Sequence, residues 1–141
     1  MTRYLVDNSV WQRLPRSVVV REAVIALLDA EDELCCCALS LDEFAFIARS
    51  AADNARAAER MRSSFLFLPS SATSDAMAAE IRSLLWDAGK GRAAGVVDVA
   101  MAAVAAVSDA VVLHYDADFD HIANVQPRAR AQWVVPRGSI D

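Results

Sequence analysis

The chain has 141 residues, 55% of them hydrophobic, and a net charge of −5. The length suits one domain spanning residues 1–141, able to bury roughly 68–70% of its unfolded surface without disulfides or a structural metal. The acidic balance argues against a protein that holds nucleic acid through a general positive field, but it leaves room for an enzyme that meets nucleic acid through bound metal and local arginines.

The chain opens on Tyr4-Leu5-Val6, a short apolar run that reads as a buried strand, and Asp7-Asn8-Ser9 then starts a helix that Pro15 stops. Asp7 is expected at the carboxyl end of this strand. Val20, Val24, Leu27 and Leu28 show helical spacing within Ser17–Ala30. Glu33 to Leu39 reads as a second buried strand containing the three cysteines, Cys35, Cys36 and Cys37. Consecutive strand residues point to opposite faces and make poor disulfide partners, so these are expected to be small buried hydrophobes in a reducing compartment.

Ser40-Leu41-Asp42-Glu43 follows at once. Its Ser-x-x-Glu pattern is a helix capping box, which explains Glu43 structurally, yet Glu43 also repeats the strand-end placement of Asp7. A polar helix over Asp53–Ser64 carries Arg56, Arg60 and Arg62, with Arg49 just before it. Phe65 to Leu68 is a third strand ended by Pro69, and Thr73 caps a helix running to Ala88. Gly89-Lys90-Gly91-Arg92 is then a loop, too short and wrongly ordered for a P-loop.

Val96 to Val107 is almost wholly apolar and, as a helix, is buried all round. Asp98 interrupts it near its start, where free N–H groups and the dipole favour an anion. Ala110 to Tyr115 is the fourth strand, running straight into Asp116-Ala117-Asp118-Phe119-Asp120, followed by a short helix to Asn124. Gln132 to Pro136 ends the fold as an edge strand. His114 and His121 are expected in ordinary structural roles, and no Ser-His-Asp or Cys-His set assembles.

Alternating strands and helices predict an α/β sandwich with a mostly parallel sheet of four or five strands. Ligands of such sheets bind beyond the carboxyl ends of the strands. Asp7, Glu43 and Asp116 are each expected there, with Asp98 at a helix start packed against the same edge. Converging carboxylates repel unless some are protonated or a cation intervenes. An all-oxygen donor set selects Mg²⁺, with Mn²⁺ as a substitute, and a metal so held suits phosphodiester hydrolysis.

In these stretches the sequence resembles PIN-domain ribonucleases of the VapC toxin type. The likeness is carried by Tyr4 to Ser9, Leu39 to Phe44, Val97 to Ala105, His114 to Ala123 and Trp133 to Pro136, and it covers essentially the whole chain. It implies a three-layer α/β/α sandwich and a Mg²⁺-dependent endoribonuclease, usually homodimeric, that a VapB-type antitoxin neutralises. Asp7, Glu43, Asp98 and Asp116 match the family's catalytic acids, with Asp7, Asp98 and Asp116 as the expected metal ligands. Asp118 matches an additional acid, and Ser9 a hydroxyl that supports the first acid from behind. Many members place Thr or Ser where this chain has Asn8.

Arg49, Arg56, Arg60, Lys90 and Arg92 are the candidate RNA contacts, chosen from charge and placement. Val10, Trp11 and Leu14 are candidates to line an antitoxin groove. Two rival classes are a PIN-like binding module without catalysis and another acid-and-Mg²⁺ phosphohydrolase. A dehalogenase-type phosphatase would need an Asp where Ser9 stands. The first residues meet charge too soon for a signal peptide, and the run 96–107 is too short to cross a bilayer. The expected compartment is therefore the cytoplasm, with no membrane association.

Overall fold

The computed structural model describes residues 1–140. Five strands, β1 (Arg3–Val6), β2 (Glu33–Cys36), β3 (Leu66–Phe67), β4 (Val111–His114) and β5 (Ala131–Trp133), form one sheet in the order β3-β2-β1-β4-β5. Every neighbouring pair is parallel, with Leu5 opposite Cys35 on one side and Val112 on the other. All carboxyl ends therefore share one edge. Parallel neighbours require crossovers, and these are supplied by α1 (Asn8–Trp11), α2 (Val18–Asp29), α3 (Ala38–Phe46), α4 (Ala51–Ser64), α5 (Ala72–Asp87), α6 (Val96–Val107) and α7 (Asp118–Val125).

Strand alternation sorts the core into two layers. Leu5, Cys35 and Val112 face α5, α6 and α7, where Ile81, Leu85, Met101 and Phe119 are fully enclosed. Tyr4, Val6, Leu34, Val111 and Leu113 face α1 and α2, meeting Val10, Val20 and Val24. With the sheet buried on both faces, its strands read as unbroken apolar runs rather than alternating ones. The result is the expected α/β/α sandwich. α6 is buried nearly all round, as its composition requires, and its Ala-rich surface lets α5 pack closely. α2 and α6 each end through a left-handed acidic residue, Glu31 (φ 62°) and Asp109 (φ 53°), where a glycine is the commoner choice.

Three local expectations are corrected. β2 ends at Cys36, not Leu39. Cys37 is the extended residue preceding α3, and the Ser40 hydroxyl accepts its N–H at 2.8 Å and donates to its carbonyl at 3.0 Å. Ser40 is thus the third residue of the helix rather than its cap, so Glu43 lies six residues inside α3 and is no part of a capping box. Ser71 caps α5 in place of Thr73, its hydroxyl accepting the Ser74 N–H at 3.1 Å.

Candidate active site

Each acid is delivered to the carboxyl edge by a different local device. The chain leaves β1 at Asp7, whose N–H still donates to Leu113 O at 2.9 Å, as a strand residue would. Its carboxylate Oδ2 turns to accept the Ser9 N–H at 3.0 Å, which makes it the N-cap of α1. Asp7 is only 5% exposed. The Ser9 hydroxyl accepts the Tyr115 N–H at 2.9 Å and so ties this turn to the loop beyond β4.

In that loop Asp116 Oδ1 accepts the N–H of Asp118 at 3.0 Å, an Asx turn that folds the second carboxylate back beside the first. The Asp116 N–H in turn donates to Nδ1 of His114 at 3.1 Å. His114 is wholly enclosed between the rings of Phe119 and Trp133, and burial holds its imidazole below the usual range, against the pull of nearby Asp120, Asp7 and Asp116. The structural role expected of His114 is thus a specific one, setting the backbone of Asp116. The only signal in the sequence is its position two residues ahead of the acid.

Asp98 is the third residue of α6, within reach of its free N–H groups. One oxygen each from Asp98, Asp116 and Asp118 lie within 4.8 Å of one another, and all three residues are partly buried. Burial pushes the Asp98 carboxyl up to about 7, and the charges of Asp7, Asp116, Asp118 and Glu43, in that order, push the same way. Glu43 is also raised, by burial first, then by Asp7 and Asp42. All five acids therefore act on one small volume. Of the expected metal set, Asp98 and Asp116 stand in the tight group together with Asp118. Asp7 stands outside that group, although its charge acts on Asp98 ahead of the others. Three crowded carboxylates with oxygen donors only could hold a hard metal ion, which would relieve their repulsion.

The expected RNA contacts are all exposed. Arg49 lies in the loop before α4, and Arg56 and Arg60 on α4, where Arg56 pairs with Asp53 at 3.6 Å. Lys90 and Arg92 lie in the loop leading into α6, a few residues ahead of Asp98. Of the expected groove residues, Val10 is fully enclosed in the core and lines nothing. Trp11 and Leu14 do border an apolar cavity of about 380 Å³, with Phe44, Phe65 and Arg60. Trp11 meets the Phe65 ring edge-on at 5.0 Å.

The fold and this acidic edge define a PIN domain, and residues 4–125 match the PIN domain family model, so the chain belongs to that family. Within it the chain groups with the VapC proteins. It is 37% identical over 139 residues to Ribonuclease VapC51 of Mycobacterium tuberculosis (99% of this chain, 98% of the relative). It is 34% identical over 140 residues to Ribonuclease VapC21 of the same species (98% of each). The fold is shared with a chain of VapBC2 from Rickettsia felis bound to a promoter DNA fragment, with a TM-score of 0.75 at 13% identity over 94% of this chain and 98% of that one. A chain of DNA-bound VapBC from Salmonella typhimurium superposes with a TM-score of 0.74 at 20% identity, over 96% and 100%.

Proposed function

We propose that this chain is a metal-dependent endoribonuclease toxin that a VapB-type antitoxin neutralises. The observation that carries this is the convergence of Asp98, Asp116 and Asp118 within 4.8 Å at the edge where Asp7 and Glu43 also act. Relatives named as VapC ribonucleases, alike over nearly the whole chain, support it.

In this mechanism Asp98, Asp116 and Asp118 would hold the ion, Mg²⁺ or Mn²⁺, with Asp7 completing the acidic pocket from the same edge, at the end of the neighbouring strand β1. Once bound, the ion would lower the pKa of a water and offset charge on the phosphate oxygens. Asp7, oriented by the Ser9 N–H, presents a fixed negative edge. Glu43, whose carboxyl is raised, is suited to move a proton to or from the reacting phosphodiester. Ser9 and His114 hold the Asp7 and Asp116 turns in place. Arg49, Arg56, Arg60, Lys90 and Arg92 supply local positive charge for the RNA backbone, which the net charge of the chain does not.

The cavity bordered by Trp11, Leu14, Phe44 and Phe65 suits the apolar face of an antitoxin helix. The resemblance further implies a homodimer and a basic antitoxin residue offered to the acids. Three free, buried cysteines fit a cytoplasmic protein. Among the described residues no helix is long and apolar enough to cross a membrane.

The test is to incubate the purified chain, free of any partner, with total cellular RNA in Mg²⁺ or Mn²⁺, and then in chelator, beside Asp98→Asn. Discrete metal-dependent cuts that vanish in the variant are expected. Intact RNA from a folded, metal-binding protein would replace the enzyme with a binding module.

A further inference from the structure

A second cavity, of about 390 Å³, opens between α1 and α3 and shares Glu43 with the acidic site. Asn8 and Gln12 border it on one side, and Asp42, Glu43 and Phe46 on the other. Phe46 is 89% exposed, more than any other large apolar side chain described. It lies three residues beyond Glu43 on α3, so the two share a helix face. A ring left this bare beside a catalytic carboxylate contributes nothing to the core.

The surroundings of Phe46 restrict what could cover it. Asp42 and Glu43 repel a phosphate, so the cavity does not suit the RNA backbone. Asn8 and Gln12 offer carboxamides, which pair with both donors and acceptors. The Asn8 Oδ1 is buried and, among the described residues, has no hydrogen-bond partner. A flat apolar face, two carboxamides and a negative rim match a neutral planar group that carries N–H donors. Such a group is a nucleobase, and single-stranded RNA presents its bases unstacked for this kind of capture.

We infer that this cavity is a base subsite. In it one base of the RNA strand, next to the phosphate cut at the acids, stacks on the Phe46 ring and has its edge read by Asn8 and Gln12. The inference rests on the ribonuclease function proposed above, because the phosphate at the acids is what brings a neighbouring base to Glu43.

The experiment has two arms. Cleavage of total cellular RNA by the parent chain tests the ribonuclease. Binding tests the subsite: the full-length Asp98→Asn chain is titrated at low salt with fluorescein-labelled decamers of oligouridylate, oligoadenylate and an abasic ribose-phosphate strand of equal charge. Phe46→Ala is expected to weaken binding of the base-bearing decamers about 5- to 150-fold, the measured range for losing one base stack. Phe46→Tyr should bind like the parent, and the abasic strand should not distinguish Phe46→Ala from the parent.

Because Phe46 is so exposed, Phe46→Ala and Phe46→Tyr should melt like the Asp98→Asn chain that carries them. Equal losses for base-bearing and abasic strands, or no loss at all, would overturn the subsite even if the parent cuts RNA. So would unchanged RNA binding together with weaker antitoxin capture or a broken dimer, which would make Phe46 a protein contact. Intact cellular RNA in the first arm would instead remove the ribonuclease itself, whatever the decamers do.

Discussion

Asp98→Asn should stabilise the metal-free protein while abolishing its activity, and the gain should depend on pH in a defined direction. In the folded chain the Asp98 carboxyl keeps its proton up to about pH 7, against a reference value of 3.8. Between these two values the unfolded state has released the proton and the folded state has not. Folding therefore takes up a proton in this window, and raising the pH destabilises the fold. The penalty is absent below about pH 3.8, grows through the window and is complete above about pH 7.

About three pKa units at 1.36 kcal/mol each set a ceiling of about 4 kcal/mol. Asp98 is only partly buried, so solvent screening reduces this to roughly 2 kcal/mol. Asn keeps the shape and removes the charge. In chelator at pH 8 the variant should melt roughly 8 °C above the parent, taking about 4 °C per kcal/mol for a domain of this size. At pH 4 the two should nearly coincide. Thermal melts followed by circular dichroism across pH 4–8 measure this directly. Equal melting temperatures at pH 8, or a gap that widens toward acid, would refute the account of Asp98 as a carboxylate held against its own charge by burial and four neighbouring acids.

Other consequences follow from the same geometry. Mn²⁺ should raise the melting temperature of the parent at pH 8, and Asp118→Asn should weaken that response by at least about tenfold in the metal concentration required. Ser9→Ala leaves the Tyr115 N–H without its 2.9 Å acceptor. It should cost about 1–3 kcal/mol in urea melts and lower kcat, because the Asp116 turn begins at the next residue; Ser9→Thr should restore both. Leu14→Asp, in the cavity beside Trp11, should weaken capture of the antitoxin at least about tenfold in a pull-down titration, while the free chain still cuts RNA.

Much of this was legible in the sequence because it rests on periodicity and on chain direction. Tyr4-Leu5-Val6 and Val111 to His114 are apolar runs that only a doubly covered parallel sheet accommodates, and in such a sheet the residue following each strand must come to one edge. That logic places Asp7 and Asp116. The apolar composition of 96–107 demands burial, and the helix start explains how it tolerates Asp98. What the sequence conceals depends on turns. Cys37 is a poor advertisement for a helix start, since thiols are not common caps, and the buried run continues unbroken to Leu39. The strand therefore reads as ending later than it does.

The helix shift bears on the chemistry as well as on the element boundary. With α3 beginning at Ala38, Glu43 is the sixth residue of the helix, about one and a half turns along it, and its carboxyl still stands where burial and the charge of Asp7 raise it. Phe46 and the cavity toward α1 come with it. The position of Asp118 has a similar origin. Nothing in its spacing distinguishes it from Asp120, but the Asx turn at Asp116 returns the Asp118 N–H to the Asp116 carboxylate, while Asp120 accepts the indole N–H of Trp133 at 3.0 Å. Two acids of the same type, two residues apart, are thereby committed to opposite tasks: one to the shared charge of the site, the other to pinning the ring that covers His114.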